Sequence, residues 1–309
     1  MRAIQNSSVF YFNLHDHQLA RTYMTQTTQD HESLINKLSI PPRPEALIVV
    51  NEESKHEYPD IEKIAEAIGS DVSLSAAVFQ IINSPAFRVS QPITNIQQAV
   101  NLLGVSRVER VVTVVSLRSE LSSDLNLGRF WDSATEIANV SSQLSAKLTG
   151  VSSDDAYTLG LFHGAGIPLM MQAFDDYKST LIEMNSTERY PVTVLEEERF
   201  GVTHNKLTYL LLKKWHLPEH IGKAAYFHHY RFSDMLKSGQ IGDDALSLLA
   251  ILKMAEDVSE TYRQAWRQNE QASEWEHAKE DVTSFLGIDL EDYREIKDDL
   301  LEWLNLEYQ

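Results

Sequence analysis

Ile93-Thr94-Asn95-Ile96-Gln97-Gln98-Ala99-Val100-Asn101-Leu102-Leu103-Gly104 decides how this chain folds. Ala99, Val100 and Leu103 fall on one face of a 3.6-residue repeat. Thr94 with Gln97 reads as a capping box, and Gly104 is suited to close the helix. The same grammar spreads in both directions. Upstream, Asp60 caps a helix with Ile61, Ile64, Ala65 and Ile68 on one face and a left-handed Gly69 expected at its end. Leu74, Val78, Ile81 and Ile82 then form an apolar stripe that runs to Asn83-Ser84-Pro85, where proline turns its predecessor away from helix. Downstream, Ser106 with Glu109 opens a further helix. Val111 to Val115 is β-branched and has the composition of a strand, but the helices on both sides favour helix.

Helical signals continue to the C-terminus. Residues 130–148 are helix-like, Ser152 with Asp155 caps the helix that carries His163, Pro191-Val192-Thr193 leads into a helix through Phe200, and residues 205–215 are helical up to Leu217-Pro218-Glu219. Asp289 caps a last helix striped by Tyr293, Ile296, Leu300 and Leu304. Val9-Phe10-Tyr11-Phe12 fits a strand or a helix equally well. Glycine and proline are too sparse for an architecture of many β-turns, so the expected class is all-α and multi-helical. The polar stretch 119–128 is the expected joint. It divides the chain into an N-terminal extension (1–29), an N-terminal helical subdomain (30–125) and a C-terminal helical subdomain (126–309).

Composition narrows the function classes. The 309 residues are 43% hydrophobic and 23% charged, ordinary for a globular protein with a sizeable core. A net charge of −18 opposes general attraction to nucleic acid or an anionic membrane. Arg107 and Arg110, one helical turn apart, read as solvated arginines. The chain has no cysteine, which excludes disulfides, thiolate metal sites and cysteine nucleophiles. Neither a secretory signal nor a run of roughly 20 apolar residues appears, and the cytoplasm is the expected location. Phosphate-loop, His-Glu-x-x-His and Gly-x-Ser-x-Gly motifs are missing.

Three N-terminal segments then come together: Leu38-Ser39-Ile40-Pro41-Pro42-Arg43-Pro44, Ile82-Asn83-Ser84-Pro85-Ala86-Phe87, and the stretch 93–104 quoted above. Downstream follow Phe130-Trp131, Gly160-Leu161-Phe162-His163, Gly201-Val202-Thr203-His204, Trp215-His216-Leu217-Pro218-Glu219 and His228-His229. In this order, over about residues 30–260, they resemble the HDOD domain. The resemblance implies an HD-superfamily-like helical bundle with an N-terminal helical subdomain, related to metal-dependent phosphohydrolases and found mostly in bacterial signalling proteins. His216 stands where the family commonly has glycine, and reads as a surface residue.

In the superfamily so implied, a divalent metal is held by an early His, a His-Asp doublet and a late Asp. Carried onto this chain these positions are Ser133, His163 with Gly164, and Glu256, so only His163 is unchanged. No histidine occurs between His56 and His163 to supply the early ligand. Serine is a poor substitute for imidazole, and glycine offers only backbone. A metal centre that lowers the pKa of its water to roughly 7 is therefore not expected at these four positions.

His204, His228 and His229 lie where the resemblance places polar residues facing the old cleft, and Glu196 precedes His204. With His163 they are the pocket candidates. They read either as a buried hydrogen-bonded network or as a reduced metal site. Glu196-Glu197-Glu198 as a block reads as a solvated face, since consecutive helix positions diverge. His15-Asp16-His17 contains a literal His-Asp pair but lies outside the matched region. The expected function is a non-catalytic signalling module without a cofactor, acting through a signalling protein partner or a small ligand. The alternative is a nucleotide or cyclic-dinucleotide phosphohydrolase that binds divalent manganese, iron or nickel weakly through those histidines with Glu196 and Glu256.

Overall fold

The computed structural model describes residues 38, 40–83, 91–121, 127–148, 150, 152–186, 192–264 and 274–307. Among them every regular element is a helix. Two compact units emerge: residues 41–131, and residues 132–309 with the described residues 38 and 40. The division falls at Trp131–Asp132, inside a continuous helix spanning Gly128–Lys147.

The first unit contains α1 (Glu45–Glu53), α2 (Ile61–Gly69), α3 (Val72–Ile82), α4 (Ile96–Leu103) and α5 (Val105–Leu121). Asp60 caps α2 by accepting from the Glu62 and Lys63 amides, and Ile64 and Ile68 are fully buried. Asp71 caps α3, whose Leu74, Val78 and Ile82 face inward. α2 packs on α1, α3 and α4, and α5 packs on α1, α3 and α4. Three boundary expectations shift by a residue or so. Gly69 remains helical and right-handed Ser70 ends α2, because the Ser70 amide reaches back to the Glu66 carbonyl. The cap of α4 is Asn95, not Thr94, since the Asn95 side chain accepts from the Gln98 amide. α5 begins at Val105, because Gly104 (φ +82°) reverses the chain at once; Val111 to Val115 are helical.

The second unit begins within α6 (Gly128–Lys147). It continues through α7 (Ser153–Phe162), α8 (Gly166–Ala173), α9 (Tyr177–Ser186), α10 (Val192–Phe200), α11 (His204–Lys214) and α12 (Glu219–Tyr226). It closes with α13 (Phe232–Ser238), α14 (Asp243–Gln264), α15 (Trp275–Leu286) and α16 (Leu290–Glu307). Ser152 caps α7 through the Asp155 amide, and Asp289 caps α16 through the Glu291 and Asp292 amides, as their sequence patterns predict. α14 is the hub: it touches α7, α12, α13, α15 and α16, and residues Leu248–Leu252 and Met254–Ala255 are buried. α11 packs against α8, α10 and α12. Trp215, fully buried, sits edge-on to Phe162 with ring centroids 5.7 Å apart.

Exposed His216, between α11 and α12, has φ +55°, the left-handed region that disfavours a Cβ. His216→Gly is therefore expected to raise stability by about 0.5–1 kcal/mol, the relieved strain exceeding the added chain entropy. A lowered midpoint in urea unfolding would refute this.

Candidate functional site

Four histidines from three parts of the second unit meet beside α14. His163 is the C-cap of α7, His204 opens α11, and His228 and His229 follow the end of α12. The local chain path is stitched together by short-range polar contacts. Thr208, one turn beyond His204, donates its hydroxyl to the His163 carbonyl (3.2 Å) and accepts from the Gly166 amide (2.9 Å). Buried Asn205 donates to the Tyr226 carbonyl (2.5 Å), binding the start of α11 to the end of α12. Gly166 lets α8 approach closely: a Cβ there would lie 1.9 Å from the His204 carbonyl oxygen.

Each of the four imidazoles has its Nδ1 against an acceptor that carries no proton to give. His163 Nδ1 lies 2.7 Å from the Gly160 carbonyl and His228 Nδ1 2.7 Å from the Ala225 carbonyl. His204 Nδ1 lies 2.9 Å from both oxygens of Glu196, and His229 Nδ1 2.9 Å from Glu274. The shared proton therefore belongs to Nδ1, which leaves Nε2 as the lone-pair face. His204 Nε2 stands 3.1 Å from His229 Nε2 and 3.5 Å from His228 Nε2. Bare lone pairs at such distances repel, so the arrangement calls for a cation among them, either a proton or a metal ion.

A metal ion fits by spacing and by charge. Donor nitrogens each about 2.1 Å from one ion stand roughly 3 to 3.5 Å apart, and one ligand atom from each of His204, His228 and His229 lies within 4.8 Å of the others. Burial, followed by the neighbouring histidines, holds His228 well below the usual imidazole pKa. Burial also lowers His229, against the opposing pull of Glu274. Neutral imidazoles are the ligating form. Two carboxylates behind the donors, Glu196 and Glu274, supply compensating negative charge and orient the rings, a recurring arrangement around metal-bound histidine.

Glu196 is fully buried on α10. Burial pushes its pKa up, but the electrostatic attraction of His204 and the hydrogen bonds from His204 and Tyr177 outweigh this and leave it below the ordinary value. Its oxygens accept from the His204 amide (3.0 Å), His204 Nδ1 and the Tyr177 hydroxyl (2.5 Å), so it positions His204 and is not itself a ligand. The solvated-face expectation fails for this residue: Glu198 is exposed and Glu197 half-buried, while Glu196 turns inward to three donors.

The positions carried over from the HD pattern behave differently. Ser133 is half-buried on α6, and Gly164 is buried in the turn between α7 and α8; neither supplies imidazole or carboxylate. His163 Nε2 is 3.9 Å from Glu256 Oε1 on α14, and its ring meets His228 edge-on with centroids 5.5 Å apart. Ser133 and Gly164 bring no imidazole or carboxylate to the carried-over positions, whereas His204, His228 and His229 bring three donor atoms within 4.8 Å of one another. His15, Asp16 and His17, and the undecided segment 9–12, lie outside the described residues.

Three contributors escaped the sequence reading: Tyr177, Lys253 and Glu274. Lys253 is buried on α14 and donates to Glu274, whose other oxygen receives His229. The signal available for Lys253 was a lone charge inside the apolar run Leu248–Ala255.

The described residues define an all-helical fold with imidazoles gathered where its helices meet. The HDOD domain profile matches residues 40–231, and the chain belongs to the HDOD family. A relative in Treponema pallidum, an uncharacterized protein, is 26% identical over 209 residues, covering 66% of this chain and 40% of its own length. This chain thus spans less than half of that relative. Two solved structures share the fold. A candidate phosphohydrolase from Shewanella amazonensis has 20% identity and a TM-score of 0.64, over 87% of this chain and 93% of its own. A candidate signal transduction protein from Marinobacter aquaeolei has 19% identity and a TM-score of 0.66, over 93% of this chain and 62% of its own.

Proposed function

We propose that this chain is a regulatory HDOD module that holds one late first-row transition-metal ion through His204, His228 and His229 and does not hydrolyse phosphodiesters. The observation that carries the proposal is the convergence of three Nε2 lone pairs, each backed by an Nδ1–H bond to a carbonyl or carboxylate. All-nitrogen donor sets favour zinc, cobalt or nickel over magnesium, calcium or manganese. When bound, the ion would supply a Lewis-acid position for one further donor from a ligand.

The chain's own residues favour binding over turnover. Ser133 and Gly164 remove two donors of the HD pattern, and His204 and His228 are buried. Half-buried His163, His229 and Glu256, with 14%, 18% and 27% side-chain exposure, would meet an incoming small ligand. The likeness to a signal transduction protein supports an output through a partner protein or a small ligand. The charge of −18 argues against nucleic acid, and no single helix among the described residues is long and apolar enough to cross a membrane.

Elemental analysis after purification without chelators, followed by zinc, cobalt, nickel, manganese and magnesium titration, tests the assignment. About one equivalent of a late metal is expected, lost in His228→Ala, with no hydrolysis of nucleotides or cyclic dinucleotides in any metal. Metal-dependent turnover abolished by His204→Ala would instead establish the phosphohydrolase suggested by the Shewanella neighbour.

A further inference from the structure

Lys253 and Glu274 form a charged pair beside the histidines that neither packing nor capping explains. Lys253 occupies a position on α14 flanked by fully buried Leu252 and Met254, and its own side chain is 3% exposed. Glu274 stands at the N-cap of α15, yet its side chain makes no capping hydrogen bond. It turns instead to His229, accepting from Nδ1 with Oε1, and to Lys253, accepting from Nζ with Oε2. Glu256, one turn along α14, also attracts Lys253.

We infer that these two residues set the metal affinity of the histidine triad in opposite directions, with Glu274 strengthening it and Lys253 restraining it. The inference rests on the reading that His204, His228 and His229 take a metal ion. A carboxylate accepting the Nδ1–H of a ligating histidine makes its Nε2 a stronger donor. Glu274 does this for His229. The buried ammonium of Lys253, poorly screened by water, draws electron density from the same carboxylate and puts a fixed positive charge near the ion. Both effects of Lys253 oppose cation binding, so its removal should tighten the site.

Zinc affinity, measured by competition with a chromophoric chelator, tests this in the full chain and in Glu274→Gln, Lys253→Met and Lys253→Arg. Glu274→Gln is expected to bind about 10- to 100-fold more weakly. Lys253→Met is expected to bind several-fold more tightly, and Lys253→Arg, which keeps the charge, to stay near wild type. Lys253→Gln carries the same test if the methionine variant does not fold. A merely structural pair would weaken binding in both Glu274→Gln and Lys253→Met. That result, or unchanged affinity in both variants beside a zinc-binding wild type, overturns the inference. A wild-type chain that takes up no zinc overturns the metal reading itself, and the inference falls with it.

Discussion

Gly166→Ala is expected to destabilise the second unit by about 3 kcal/mol or more and to cut zinc binding at the histidine triad. The added Cβ would lie 1.9 Å from the His204 carbonyl oxygen, 2.6 Å from its carbon and 2.9 Å from its Cα. All three are backbone atoms at the start of α11, so no side-chain rotation relieves the overlap. Either α8 or the N-terminus of α11 must move, and the hydrogen bond from the Gly166 amide to Thr208 moves with it. Gly69→Ala is the matched control: it lies in a helix with nothing within 4 Å of the new methyl, and should be neutral or slightly stabilising. Urea unfolding of the two variants and zinc titration give the comparison. An unchanged midpoint for Gly166→Ala would show that the close approach of α8 to α11 is not as described.

Glu196→Ala should be nearly as severe, costing about 3–5 kcal/mol. The carboxylate serves three buried donors: the His204 amide, His204 Nδ1 and the Tyr177 hydroxyl. Its removal strands all three in a dry interior and frees the His204 ring to turn, so zinc affinity should fall with stability. Tyr177→Phe removes one donor and leaves both His204 bonds in place. About 1–2 kcal/mol of destabilisation with zinc binding retained is expected there. If Tyr177→Phe lost zinc as fully as Glu196→Ala, the role assigned to Glu196 in orienting His204 would be wrong.

These variants concern residues of unequal visibility in the sequence. Asp60, Ser152 and Asp289 announced their helices because a cap and the apolar stripe behind it are local in the chain, and each side chain accepts from amides two or three residues ahead. Errors of one residue arose where two local solutions compete, as when Asn95 took the cap from Thr94 or Ser70 ended the helix that Gly69 was expected to end. The four histidines were legible through their motifs. Glu196 was legible as a pocket residue, but its neighbours pointed to a solvated face and only its position over Tyr177 and His204 reveals its task. Lys253 and Glu274 left almost no mark, because a residue within α14 and one at the N-cap of α15, 21 positions on, become partners only through packing.

The sequence by itself determined an all-helical chain of the HDOD type, the identity of its candidate imidazole donors, and the glycine that follows His163. Local periodicity, caps and ordered motifs suffice for that, since they act within a few residues. Only the tertiary structure decided which nitrogen each imidazole presents. That choice depends on the acceptor behind the ring: Gly160 and Ala225 are within the same turn, whereas Glu196 comes from α10 and Glu274 from the N-cap of α15. Helix periodicity determines the face on which a histidine lies, but the partner that claims its Nδ1 proton is set by how helices distant in sequence are brought together.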